Sequence, residues 1–337
     1  MPEGNTGTRI PPIQRLPLPM GLPTPEAIKS WGQNEVNYDP DFWDLEYTTY
    51  RYLSGMRDDA LRDRYDCIVR NMRSWTGPER DVVPIVSYQG SWWWFRKEHQ
   101  TRLEFAFRDL EPPAHIYEPP VPCTSGPVHP AIPNGTKLIY RYSNREYVRQ
   151  MVEEGRVRFS AAQSYEGEEN NAAQRDEELS KHAYMPGRYT KITTQDGQPI
   201  EIIGDVQRTV SASGYHLVCF SCVWDPQLFE DFQADTCVVV TDPAEFARRL
   251  EAAGAAVFPG WYSIDCPVQY FDPYERRKKE YFEAGMSKDF RFAYQNEYRI
   301  LWSQLNNRPI DGAHFVDIGP AHEIMRMYDA SGEEISE

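Results

Sequence analysis

The spacing of apolar positions changes character along this chain. Between Asp39 and Trp75, Trp43, Tyr47, Tyr50 and Leu53, then Leu61, Tyr65, Ile68, Val69 and Met72, recur mostly at three- and four-residue steps. That spacing predicts helices, with Gly55 breaking the run in two. Val82–Tyr88 has strand character despite Pro84, and the aromatic run Trp92-Trp93-Trp94-Phe95 leads into a helix ending near Phe107. Beyond residue 135 short strands alternate with helices. Strands are expected at Lys137–Tyr142, Arg156–Ser160, Tyr215–Val223, Thr236–Val240, Ala256–Phe258 and Val268–Phe271, with a hairpin over Tyr189–Ile203 around Asp196-Gly197. One helix follows the capping box Ser143-Asn144-Arg145-Glu146, carries Tyr147, Val148 and Met151 on one stripe, and stops at Gly155. Another starts at Thr241-Asp242-Pro243 and carries Phe246 and Leu250 before Gly254. A third is expected over Tyr274–Gly285.

Proline divides these patterns. The start of the chain is Pro-rich with little to bury, and Glu111–Gly135 holds eight prolines, which excludes regular structure over most of its length. The expected organisation is an extended arm over 1–24, a helix-rich region over 25–110, a linker over 111–135 and an α+β domain over 136–330. That domain would hold mixed or antiparallel sheets with flanking helices.

Composition narrows the classes. Hydrophobic residues make up 40%, enough for a sizeable core, and no run reaches the length of a membrane span. The start lacks the apolar core of a signal peptide, so a cytoplasmic location without membrane partners is expected. A net charge of −15 argues against a general nucleic-acid coat. Cys219-x-x-Cys222 has no second Cys pair and no His pair at finger spacing, so buried thiols are expected and no metal. The acidic run Tyr165–Leu179 is expected to be solvated. The seven histidines are scattered, and neither Gly-x-Ser-x-Gly nor a phosphate-cradling glycine loop occurs.

The chemistry-bearing stretch is Gln295-Asn296-Glu297-Tyr298-Arg299-Ile300-Leu301-Trp302. As a strand it puts Gln295, Glu297, Arg299 and Leu301 on one face, and the mostly apolar Asn296, Tyr298, Ile300 and Trp302 on the other. The polar face either pairs internally, Glu297 with Arg299 at i, i+2, or serves a site. Two further features stay open in the same way. The aromatic run Trp92 to Phe95 reads as buried core or as a stacking platform, and Arg276-Arg277-Lys278-Lys279 as a solvated helix face or as a phosphate contact.

Tyr140-Arg141-Tyr142, the capped helix, Gly155, Arg158-Phe159-Ser160, Cys219-Phe220-Ser221 and Lys288 … Gln295-Asn296-Glu297-Tyr298-Arg299 together resemble the bacterial family called domain of unknown function 2971. The resemblance covers roughly the C-terminal 200 residues. The chain departs from that family at Tyr165-Glu166-Gly167-Glu168, where Phe-Asn-Asp-Pro is typical, and at Leu228-Phe229-Glu230-Asp231-Phe232, where a Trp-x-x-Tyr segment is usual.

That family in turn is similar to the ADP-ribosyltransferase fold, and the resemblance implies an NAD-consuming transferase or NAD glycohydrolase. The positions it matches are Arg141 for phosphate or ribose, Ser221 for the strand that clamps nicotinamide, and Glu297 for the ribose chemistry. Gln295 would select the acceptor, a protein, a nucleic acid or water. Ser160 competes with Ser221 for the hydroxyl role, and Tyr142 or Tyr294 would stack on nicotinamide. By analogy such an enzyme suits a bacterial toxin or phage-defence effector. The competing classes are a non-catalytic protein-interaction module and a nucleic-acid binder.

Overall fold

In the computed structural model, residues 39–75, 90–115, 138–166, 178–275, 284–304, 310 and 312–335 are described. The 1–24 arm, Val82–Tyr88, most of the 111–135 linker, the side chains of Trp92 and Glu166, residues 167–177 of the acidic run and the Arg276–Lys279 cluster lie outside them. The fold is α+β, with helices at the N-terminal end followed by antiparallel sheet. Two compact units divide the chain. One draws on the described residues within Met1–Pro122, His182–Arg208 and Phe271–Glu280, the other on those within Cys123–Lys181, Thr209–Tyr270 and Tyr281–Glu337. Two stretches beyond the proline-rich segment, His182–Arg208 and Phe271–Glu280, thus group with the N-terminal helices. No helix among the described residues is long and apolar enough to cross a membrane.

In the first unit, helices α1 (Pro40–Thr49), α2 (Asp58–Trp75) and α3 (Gly90–Phe107) share a core of Tyr47, Leu53, Leu61, Tyr65, Val69, Leu103 and Phe105. Nearly every described side chain of α3 is buried, which is why its sequence shows no single apolar stripe. Trp93, Trp94 and Phe95 are core residues, so their rings are closed to a stacking base. The buried charges of α3 are paired. Lys97 lies 2.9 Å from Asp272, which also takes a two-pronged bond from Arg64, and Glu104 accepts from Arg51, Arg108 and Tyr47.

The second unit opens with β1 (Ile139–Ser143), α4 (Arg145–Glu153) and β2 (Arg156–Ala161). Ser143 ends the strand and Asn144 is the helix N-cap without a side-chain bond, so the expected capping box does not form. The carboxylate of Asp235 instead accepts from the Arg145 N–H. Val148, Met151 and Val152 form the buried stripe of α4, and Tyr147 is exposed. Gly155 stops the helix at φ 69°.

Strands β3 (Ser180–Met185) and β6 (Val206–Ser211) flank a small hairpin, β4 (Ile192–Thr193) and β5 (Pro199–Ile200), that turns at Asp196-Gly197. Next come β7 (Tyr215–Ser221), α5 (Gln227–Phe232), β8 (Thr236–Val240) and α6 (Pro243–Val257). Helix α6 is capped by Asp242, as expected, but continues past Gly254 to Val257, so Ala256–Phe258 is not a strand. Gly254 serves packing rather than termination: a Cβ there would come within 2.3 Å of the Trp302 ring. The chain closes with β9 (Tyr262–Pro267), β10 (Gln269–Phe271), β11 (Ser287–Asp289), β12 (Glu297–Ser303), β13 (Ala313–Asp317) and β14 (Met325–Tyr328).

The main sheet runs β13-β2-β7-β1-β8-β14, and β12 pairs with both β7 and β9. Strand β7 is its hub, pairing with β2 at His216 and Leu217, with β1 at Ser221, and with β12 over its whole length. One face carries Val218, Phe220, Ile300 and Trp302 into a core closed by Val148, Met151, Phe246 and Leu250 of α4 and α6. The other face carries Leu217 and Leu301, covered by Ala162, Tyr215 and Met286. With both faces of β12 covered, its alternate polar residues are interior and must be paired.

Candidate functional site

The polar face of β12 begins two residues later than its sequence suggests, at Glu297 rather than Gln295. Phe290–Gln295 is a turn of 3-10 helix, and Asn296 sits at φ 42°, the left-handed region that Asn tolerates better than most residues. Gln295 is therefore not on the strand with Glu297. Its side chain still reaches the same cluster, because Gln295 Oε1 accepts from Lys288 Nζ at 3.0 Å. Glu297 is the first strand residue, directly opposite Ser221. Its N–H donates to the Tyr270 hydroxyl at 2.8 Å, and its carbonyl accepts from the Val268 N–H.

Both carboxylate oxygens of Glu297 are engaged. Oε1 accepts from Arg299 Nε at 2.6 Å, and Oε2 accepts from Lys288 Nζ at 2.8 Å. Arg299 is fully buried and also donates two parallel bonds of 2.7 Å to Glu178, plus one to the Gly285 carbonyl. Glu178 accepts a further bond from the Tyr215 hydroxyl. The solvated role expected for the acidic run thus fails at Glu178, which is buried as the second counter-ion of Arg299. Burial would raise the Glu297 carboxyl, but the charges of Arg299 and Lys288 outweigh it and hold the group well below the usual carboxylate range. Burial, and then the charge of Glu297, push the Cys219 thiol well up, so it remains protonated.

A cavity of about 150 Å³ opens beside this network. Arg141, Tyr142, Ser221, Gln295 and Glu297 all line it, together with Lys288, Glu178 and Tyr165. Three strands supply the expected triad: β1 gives Arg141, β7 gives Ser221 and β12 gives Glu297. Arg141 donates from Nη1 to the Cys219 carbonyl at 2.8 Å. Ser221 donates its hydroxyl to the Gln295 carbonyl at 2.7 Å and accepts from the Val223 N–H, so it fixes the turn that delivers Glu297.

The remaining expected residues are placed otherwise. Ser160 pairs with Leu217 and Ala313 on β2 and is not part of the cavity lining. Tyr294 is buried in an aromatic cluster with Trp224 and Phe229 and is not itself part of the lining, although its hydroxyl accepts from Gln295 Nε2 at 3.3 Å. Tyr142 lines the cavity, but its ring packs edge-on to Phe229 and stacks with Phe232. Its hydroxyl joins the Val223 carbonyl to the Asp225 N–H. Stacking on a ligand is therefore closed to Tyr294, and the Tyr142 ring is held by its neighbours.

Sequence reasoning assigned no role to Lys288 or Glu178. One signal pointed to both: a buried Glu–Arg pair on a covered strand face needs further counter-charges to satisfy its remaining donors and acceptors. No family model, curated protein or solved structure matches this chain.

Proposed function

We propose that the chain transfers ADP-ribose from NAD to an acceptor, or to water. The observation that carries this reading is the convergence of Arg141, Ser221 and Glu297 on one cavity from three separate strands. A cavity of about 150 Å³ is the size that holds a single ring, and is smaller than the roughly 300–1,000 Å³ usual for drug-sized ligands. At the nicotinamide–ribose end of NAD, the nicotinamide ring would enter the cavity and the ribose would lie at its mouth. The Arg141 guanidinium, tied through one nitrogen, has donors left for a phosphate oxygen.

In the reaction the bond from ribose C1′ to the nicotinamide nitrogen breaks, and its electron pair stays on the nitrogen, which leaves as neutral nicotinamide. Positive charge then develops at C1′, as in glycoside cleavage. An acceptor oxygen, or water, forms the new bond to C1′ and releases its proton. Glu297 suits the electrostatic part of this step. Its low pKa keeps it ionised, so it stabilises positive charge and accepts from the ribose 2′-hydroxyl rather than donating a proton. A carboxylate has about four acceptor positions, so the bonds from Arg299 and Lys288 leave room for one more. Such chemistry belongs where NAD is abundant, in the cytoplasm.

A second reading rests on the same residues. Glu178, Arg299, Glu297 and Lys288 satisfy one another without any ligand, as they would in a non-catalytic interaction module. Nicotinamide release from NAD by the wild type, and its loss in Glu297→Gln, separates the two.

A further inference from the structure

We infer that Lys288 is a specificity-determining residue that sets the charge the cavity presents to the nicotinamide ring. This rests on the reading that the cavity takes the nicotinamide–ribose end of NAD. The two cationic partners of Glu297 sit differently. Arg299 is fully buried, is no part of the cavity lining, and has its donors on Glu297, Glu178 and the Gly285 carbonyl. It stands behind the carboxylate. Lys288 lines the cavity beside Glu297 and holds both Glu297 Oε2 and Gln295 Oε1. A ligand that approaches Glu297 through the cavity meets this ammonium.

The formal charges follow. Glu178 and Glu297 are balanced by Arg299 and Lys288, and Arg141 adds one positive charge at the lining. These five described groups, with Arg299 standing behind the lining, sum to one positive charge with Lys288 in place and to zero without it. The nicotinamide ring is cationic while bonded to ribose and neutral once released. Lys288 therefore disfavours the ring in its bonded, cationic form and favours the neutral product form.

The experiment compares two probes of nearly equal shape, neutral nicotinamide and the N1-methylnicotinamide cation, by ligand-observed NMR titration. The proteins are the full-length wild type, Lys288→Gln, Lys288→Met and Lys288→Arg, each checked by thermal melting. Gln keeps a donor to Glu297 without the charge, Met removes both, and Arg keeps the charge. One unit of charge about 4 Å away is worth more than about tenfold in affinity at an effective dielectric of about 20. The wild type and Lys288→Arg are expected to prefer the neutral probe. Lys288→Gln or Lys288→Met is expected to shift the cation-to-neutral affinity ratio by tenfold or more toward the cation. An unchanged ratio, with both probes bound and displaced by NAD, overturns the role of Lys288 and leaves the NAD reading standing. Binding of neither probe to any variant, with no nicotinamide release from NAD, overturns both.

Discussion

Ser221 and Glu297 face each other across the β7–β12 ladder, and the Ser221 hydroxyl also bonds the Gln295 carbonyl two residues before Glu297. One small side chain thus fixes both the strand that carries the carboxylate and the turn that delivers it. Ser221→Ala removes one donor and one acceptor at a buried position, at an expected cost of about 1–3 kcal/mol in urea unfolding. Because Glu297 itself stays, turnover should fall through misplacement, with kcat reduced more than KM rises.

Arg299 is expected to be the most sensitive position of the cluster. Arg299→Met leaves Glu178 and Glu297 buried without their shared cation. Breaking such a network from one side typically costs about 3–5 kcal/mol. Chemical denaturation should show the loss at neutral pH, and a loss under 1 kcal/mol would contradict the charge balance described for this face.

The lowered pKa of Glu297 makes a signed pH prediction. The folded protein holds this carboxyl ionised at a pH where the unfolded chain has already taken up a proton, so the unfolded state binds more protons. The stabilisation is fully present above the unfolded value, about 4.3, and is lost as pH falls from there toward the lower folded value. Melting temperature against pH should therefore fall more steeply below pH 5 in the wild type than in Glu297→Gln.

A packing test lies on the opposite face of the sheet. Gly254→Ala drives a methyl group into the Trp302 ring, which stacks on Phe258. Overpacking of this kind costs about 1–3 kcal/mol, and thermal melting checks it. A neutral outcome would mean that Trp302 can move aside at no cost.

Much of the fold was legible because its signals are local. The periodic helices of residues 39–75, the Asp242 cap, Gly155 as a helix stop and the strand Thr236–Val240 each follow from residues a few positions apart. What was not legible depends on distant partners. Strand β9 pairs with β12 alone, and its alternation, half-buried at Ile264 and Cys266 and exposed between them, spans too few residues to stand out in the sequence. Gly254 looked like a helix stop because its reason, Trp302, lies 48 residues onward. The α4 cap comes from Asp235 rather than from the neighbouring Ser143. At the site, Arg141, Ser221 and Glu297 were named from the family resemblance, and they share one cavity. Glu178 was hidden in an acidic run whose ordinary fate is solvation, and Asn296 broke the register that would have put Gln295 on the strand.

The most direct measurement is nicotinamide release from NAD by the purified wild type beside Glu297→Gln, each confirmed folded by circular dichroism. Release by the wild type, reduced at least about a hundredfold in the variant, is the expected result, since losing a group aimed at developing charge typically costs that much. Equal release by both proteins, or no release and no NAD binding by the wild type, would contradict the account and leave the Glu178–Arg299–Glu297–Lys288 cluster as a purely structural support of β12.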